Sequence, residues 1–121
     1  TRADYARCAK YPEAIARVTY PIDIHSPTGS GTELSHLPPG EWYEVPYGCL
    51  VPRDCVNLLV GGRPVSADHA VHASLRVMPV AISLGQAAGL AAALAAREGC
   101  PPAALDGVRL RQALRERGAR L

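Results

Sequence analysis

The stretch NLLVGGRPVSADHAVHASLRVMPVAISLGQAAGLAAALAA, residues 57–96, decides how this chain folds. Val56 to Val60 reads as a central strand, apolar on both faces after Asn57. A Gly61-Gly62 turn and a polar loop follow it. Ala67 to Leu75 reads as a short helix with Asp68 near its start. Pro79 then opens a long helix, because its missing N–H costs nothing in a first turn. That helix has almost no polar face. Gly85, Ala88, Gly89 and Ala92 recur at three- and four-residue spacing, so another backbone can approach closely. Strand, glycine turn and helix N-terminus converge on one point, which suits an anionic or electron-rich ligand.

Working outward, the long helix ends at Glu98-Gly99, with Gly99 as left-handed terminator and Pro101-Pro102 beyond it. A last helix runs from Asp106, its N-cap, to Arg117, with Gly118 after it. Its stripe of Leu110, Ala113 and Leu114 is narrow, so it is expected at the surface. Toward the other end, residues 1–17 read as the end of a helix or an irregular arm. Ala16 to Ile24 reads as a strand, with Pro21 marking an edge or kink. His25 to Gly40 is rich in Ser, Pro, Gly and Thr and reads as a loop. Trp42 to Tyr47 is a short extended segment, continued by Cys49 to Val51 before a Pro52-Arg53-Asp54 turn.

Composition narrows the function. The chain has 121 residues, enough for one domain, with no Phe and one Trp. Its apolar content is mostly Ala, Val and Leu, which suits close packing of helices. The net charge of +2 argues against a nucleic-acid partner or an acidic membrane. Cys8, Cys49, Cys55 and Cys100 form no CxxC pair and read as reduced thiols of a cytoplasmic protein. His69 and His72 could share a helix face, but no second close pair supports a metal site, so none is expected. Val77 to Ala96 approaches the length of a bilayer span, about twenty residues. Its Pro, Gln and glycines favour a helix buried in a larger soluble protein. The only methionine is Met78, and no signal segment opens the chain. Either an initiator Met was removed before Thr1 or, the preferred reading, the sequence is the C-terminal piece of a longer protein.

Four segments in order carry a family resemblance: YPIDIH at 20–25, YEVPYGCLVP at 43–52, NLLVGGRPVS at 57–66 and RVMPVAISLGQAAGLAAALA at 76–95. Together they resemble the C-terminal region of bacterial FAD-dependent oxidoreductases, in the superfamily of glutathione reductase and fumarate reductase flavoproteins. The resemblance covers nearly all of the chain from Val18. It implies an α/β fragment, the C-terminal part of an FAD/NAD(P)-binding Rossmann-like fold. A few strands would precede a long buried helix and a terminal surface helix. Residues 1–55 would come from the substrate or cap side, and 56–121 from the FAD-binding domain.

The GxGxxG loop that holds the adenine end of FAD in that superfamily is missing here, since the glycine pairs at 61–62 and 85/89 lack its spacing. The resemblance therefore implies a partner, the N-terminal part of the protein carrying that loop. It places Gly61, Gly62 and Arg63 at the ribityl and phosphate region of FAD. Met78, Pro79, Val80 and Ala81 would face the pyrimidine edge of its ring. A helix N-terminus there would stabilise the negative charge of the reduced flavin.

Arg76 matches a position where relatives with carboxylate substrates place an arginine. Asp23 and His25 match a DxH near the catalytic region, where His25 would serve as acid, base or hydrogen-bond donor to an unknown small substrate. Each has a plainer reading, Arg76 as a surface arginine and Asp23–His25 as a tie between loop and sheet. The chain as a whole has one too, a packing or oligomerisation module that binds no cofactor alone. Its apolar helix face would then be covered by a second copy. A xanthan-lyase label occurs in this family, but no sugar platform or elimination triad supports it here.

Overall fold

The structure, a computed structural model, describes residues 1–25, 29 and 31–121. It is a mixed helix-and-strand chain with two small sheets rather than one central sheet. Strand β1 (Ala14–Val18) pairs antiparallel with β4 (Tyr43–Pro46), Val18 opposite Tyr43. Strand β2 (Ile22–His25) pairs antiparallel with β3 (Thr32–Ser35), His25 opposite Thr32.

The single strand expected over Ala16 to Ile24 is thus two strands in two sheets. Pro21 lies between them. With no N–H and a fixed φ it cannot continue a ladder, so the chain changes sheet there. The loop expected from His25 to Gly40 contains β3, because the open edge of β2 gives Thr32–Ser35 a ladder to join. Residues 26–28 and 30 of that loop lie outside the described residues. Cys49 to Val51 does not extend β4. Tyr47–Leu50 winds into a 3-10 turn, and the Val51 N–H donates back to the Gly48 carbonyl at 3.2 Å.

The largest correction concerns Val56 to Val60, which forms no strand. Val56 is 66% exposed and Leu58 48%. Only isolated bonds tie the segment down. The Val60 N–H donates to the Leu50 carbonyl at 2.8 Å, and the Ala103 N–H to the Val56 carbonyl at 3.3 Å. Strand preference is realised by packing beside other strands, and among the described residues none runs alongside.

Four α-helices complete the described residues: α1 (Arg2–Ala6), α2 (His69–Leu75), α3 (Met78–Glu98) and α4 (Gly107–Glu116). Their ends follow local chemistry. The Asp68 carboxylate caps α2 by accepting from the Val71 N–H at 2.8 Å. Asp106 caps α4 through the Val108 N–H at 2.9 Å. Gly99 terminates α3 at φ 66°, a left-handed conformation that glycine adopts without strain.

The core lies where α3 and α4 cross β1. Ile15, Leu84, Leu110 and Leu114 are fully buried there, and Ala87 and Ala91 let α3 approach the sheet closely. Helix α3, expected as the buried helix of a larger protein, is buried by this chain on one face only. Val80, Leu84, Ala87, Ala91, Leu94 and Ala95 point inward, while Ile82 is 70% exposed and Gly85, Gly89 and Ala92 are open. The reason is geometric, since this chain supplies a layer on only one side of the helix. By length and composition α3 could also cross a membrane.

Candidate functional site

Helix α2 places the site. Its residues His69, His72, Ala73 and Arg76 follow at spacings of three and four, so they share one face. That face packs against β2, where Asp23 and His25 alternate onto one side. The β2–α2 seam holds a cavity of about 280 Å³, walled by Asp23, His25, His69, His72 and Arg76 with Ile24 and Ala73. A second cavity of about 680 Å³ shares Asp23, His72, Ala73 and Arg76 with it. It adds Tyr20, Arg63 and the start of α3 at Val77, Met78 and Pro79. The two adjoin along these shared walls.

Within the groove the polar groups are held unevenly. Arg76 donates one guanidinium N–H to the Asp23 carbonyl at 3.3 Å. His72 Nε2 lies 2.9 Å from the Arg63 carbonyl. A carbonyl only accepts, so Nε2 carries the proton and Nδ1 of the neutral ring is an acceptor. This bond also ties the Gly61-Gly62-Arg63 turn to α2. The Tyr20 hydroxyl donates to Asp23 Oδ2 at 3.4 Å. Asp23 Oδ1 is buried with no hydrogen-bond partner among the described residues, and His25 Nε2 stands 4.0 Å from it. That separation is too long for a hydrogen bond. His25 itself is exposed, with Nδ1 at 3.4 Å from the Thr32 hydroxyl.

A buried relay anchors this groove to the core. Ser74 is fully buried and its hydroxyl donates to the Tyr20 carbonyl at 2.7 Å. With the serine proton so used, the Tyr43 hydroxyl is the donor to Ser74 Oγ, also at 2.7 Å. Burial pushes the Tyr43 phenol well above its ordinary pKa. The Asp68 cap is held ionised below the usual carboxylate range, chiefly by the Val71 N–H. Relay and cap together fix α2, and with it Arg76 and both histidines.

The start of α3 is chemically open. Among the described residues no side chain caps it, and its N-cap is Val77. The Ala81 N–H donates to the Val77 carbonyl at 3.0 Å, so Ala81 has no free donor. Pro79 has none to give. The Met78 and Val80 N–H groups have no carbonyl one turn back within the helix.

Of the residues singled out in the sequence, Asp23, Arg63, Arg76, Met78 and Pro79 meet on the larger cavity, and His25 joins through the smaller one. Gly61, Gly62, Val80 and Ala81 do not line either. Val80 is buried in the core. Gly62 takes φ 88°. Gly61 lies against α3 so closely that a Cβ there would stand 3.0 Å from the Ala88 Cβ. Here the small-residue stripe does receive a backbone. Tyr20, His69 and His72 were not expected in the site. The signal for the histidines was available, in their spacing from Arg76 at α-helical intervals.

This architecture defines a class, a helix-and-strand chain whose long helix opens its N-terminus onto a groove bearing arginines and histidines. The FAD dependent oxidoreductase family model matches residues 1–114, and the chain belongs to that family. Comparison with curated proteins and with solved structures gives no match.

Proposed function

We propose that the chain forms the ribityl and pyrimidine side of an FAD site in a flavin-dependent oxidoreductase. The observation that carries this reading is the uncapped N-terminus of α3 opening on the 680 Å³ cavity together with Arg63 and Arg76. The donor set fits the group. Met78 offers a backbone N–H on that cavity at the positive end of a 21-residue helix, and Arg63 stands on the same wall. Arg63 would hold the ribityl or phosphate portion, and Met78 and Pro79 would lie against the ring edge. Bound FAD supplies reversible hydride exchange with a small substrate. The protein's own residues position that substrate. Arg76 takes its negative charge, and His25 gives or accepts a proton with Asp23 behind it.

The adenine end requires the GxGxxG loop of a segment outside these 121 residues, with residues 56–121 completing its Rossmann-like domain and 1–55 facing the substrate. The same reading assigns a cytoplasmic protein whose open α3 face is covered by that segment or by a second copy.

The test is a charge placed at the helix start. Met78 is 72% exposed, so Met78→Glu leaves the core intact and its carboxylate suits the helix dipole. It should therefore preserve the melting temperature yet weaken FAD retention at least tenfold. Retention is read from the flavin's visible absorption in the full gene product after gel filtration. Unchanged retention in the variant rules out the α3 N-terminus as the flavin contact. No flavin in the unsubstituted product removes the oxidoreductase reading.

A further inference from the structure

The far end of α3 carries another polar cavity, apart from the groove. Arg97, in the last turn of α3, stands about 28 Å along the helix from Met78. The α3–α4 seam there holds a cavity of about 240 Å³. Buried Leu94 and half-buried Ala113 give it an apolar floor. Arg97, Arg109 and Arg117 stand around it with Gln112 and Glu116. Arg109, Gln112 and Glu116 recur at three- and four-residue spacing, so α4 presents them on one face.

The commitments of these groups leave donors over. Arg109 Nη1 lies 2.8 Å from Glu98 Oε1, an ion pair that joins α4 to the end of α3. Arg117 Nη1 donates to the Ala113 carbonyl at 2.9 Å. Each keeps the rest of its guanidinium fork. Arg97 has no side-chain hydrogen bond and no ion pair among the described residues. Glu116 Oε1 accepts from the Gln112 amide at 3.1 Å, and Oε2 has no partner among the same residues. With Glu98 set against Arg109, two arginines face one carboxylate across the cavity. The two pinned guanidinium groups lose little freedom on gripping an anion. Donors reach the cavity from both helices, so they address oxygens that point in different directions. A tetrahedral oxyanion offers more such oxygens than a planar carboxylate.

We infer that the α3–α4 seam binds inorganic phosphate, with Arg97 and Arg117 as its anchors and Arg109 beside them. Glu116 sets the choice among tetrahedral anions. Its free Oε2 accepts the O–H that hydrogenphosphate retains, and repels sulfate, which has no proton to give. A phosphate monoester, with a second pKa of about 6, has lost its proton at pH 8 and is repelled likewise.

The experiment is calorimetric titration of the full gene product with sodium phosphate at pH 8, ionic strength being held constant with sodium chloride. One saturable phosphate per chain is expected. Arg97→Gln and Arg117→Gln should each weaken it at least about tenfold, and Arg97→Lys should recover part of the loss. Arg115→Gln removes the same charge from α4 at an exposed position off the cavity wall, and should leave binding unchanged. All these side chains are exposed, so circular dichroism should stay that of the parent. Sodium sulfate and methyl phosphate should bind at least about fivefold more weakly than phosphate, and Glu116→Gln should remove that difference.

The absence of saturable binding, or an Arg97→Gln product that binds as the parent does, overturns the proposal. So does an Arg115→Gln loss equal to that of Arg97→Gln, which means attraction by net charge alone. Sulfate bound as tightly by the parent overturns the phosphate assignment in favour of any tetrahedral anion. Methyl phosphate bound as tightly overturns it in favour of a phosphorylated metabolite. The flavin reading fails separately, since a product that holds no FAD but binds phosphate keeps this site.

Discussion

The two faces of α3 sit in opposite surroundings. On one, Leu84, Ala87 and Ala91 are sealed against β1 and α4. On the other, Met78 and Ile82 stand open, as do Val56 and Leu58 of the run that has found no sheet to join. Both faces of the helix are apolar. What separates them is whether a neighbouring layer exists within the chain. The open face begins at Met78, on the cavity that Arg63, His72 and Arg76 also line, so exposed apolar surface adjoins the groove.

The contrast can be broken by truncating the two faces in turn. Leu84→Ala removes a fully buried side chain and should cost about 3 kcal/mol of unfolding free energy. Ile82→Ala, only two residues earlier but 70% exposed, should change it by less than about 0.5 kcal/mol. Urea denaturation of both variants decides the matter. A loss above about 1 kcal/mol for Ile82→Ala, fading on dilution, would show the open face to be covered by a second copy.

Gly61 sharpens the comparison, being the place where the open region touches the helix. An added Cβ would lie 3.0 Å from the Ala88 Cβ and 3.4 Å from the Gly85 Cα. Gly61→Ala should therefore cost about 1.5 kcal/mol by overpacking. Pairing it with Ala88→Gly removes the opposing methyl. A double-mutant cycle should then return a favourable coupling of at least about 0.5 kcal/mol. Zero coupling would mean that the glycine turn does not bear on α3.

These same regions show what could be read from the sequence. Helices α2, α3 and α4 were legible with their caps, because Asp68, Pro79, Gly99 and Asp106 act on groups within one turn of themselves. Strands were not. Val56–Val60 has the composition of a buried strand, while Thr32–Ser35, with two exposed polar residues, became one by pairing with β2. Strand formation depends on a partner distant in sequence, and no local pattern names it. The site divided similarly. Arg63, Arg76, Met78 and Pro79, which the family resemblance singled out, share the groove wall because they flank a turn and a helix start. Tyr20 was missed because its place on the groove wall depends on Ser74, 54 positions away, holding its carbonyl.

That long-range hold gives the smallest effect and the most specific one. Tyr43→Phe deletes the hydroxyl at 2.7 Å from Ser74 and should cost about 1 kcal/mol at pH 7. The penalty should shrink in alkali. The unfolded chain releases the Tyr43 proton near the ordinary value of 10.0, while the folded chain, whose phenol is raised by burial, keeps it. Above pH 10 the unfolded state thus binds fewer protons, and the parent loses stability that the phenylalanine variant retains. Tyr5, Tyr11 and Tyr47 are raised as well, but they are common to both proteins and cancel in the difference. Urea midpoints at pH 7 and at pH values above 10 should therefore converge. A gap that stays constant with pH would mean that Tyr43 is solvated in the folded protein. The relay would then not be what holds Tyr20 and α2 to the closed half of the molecule.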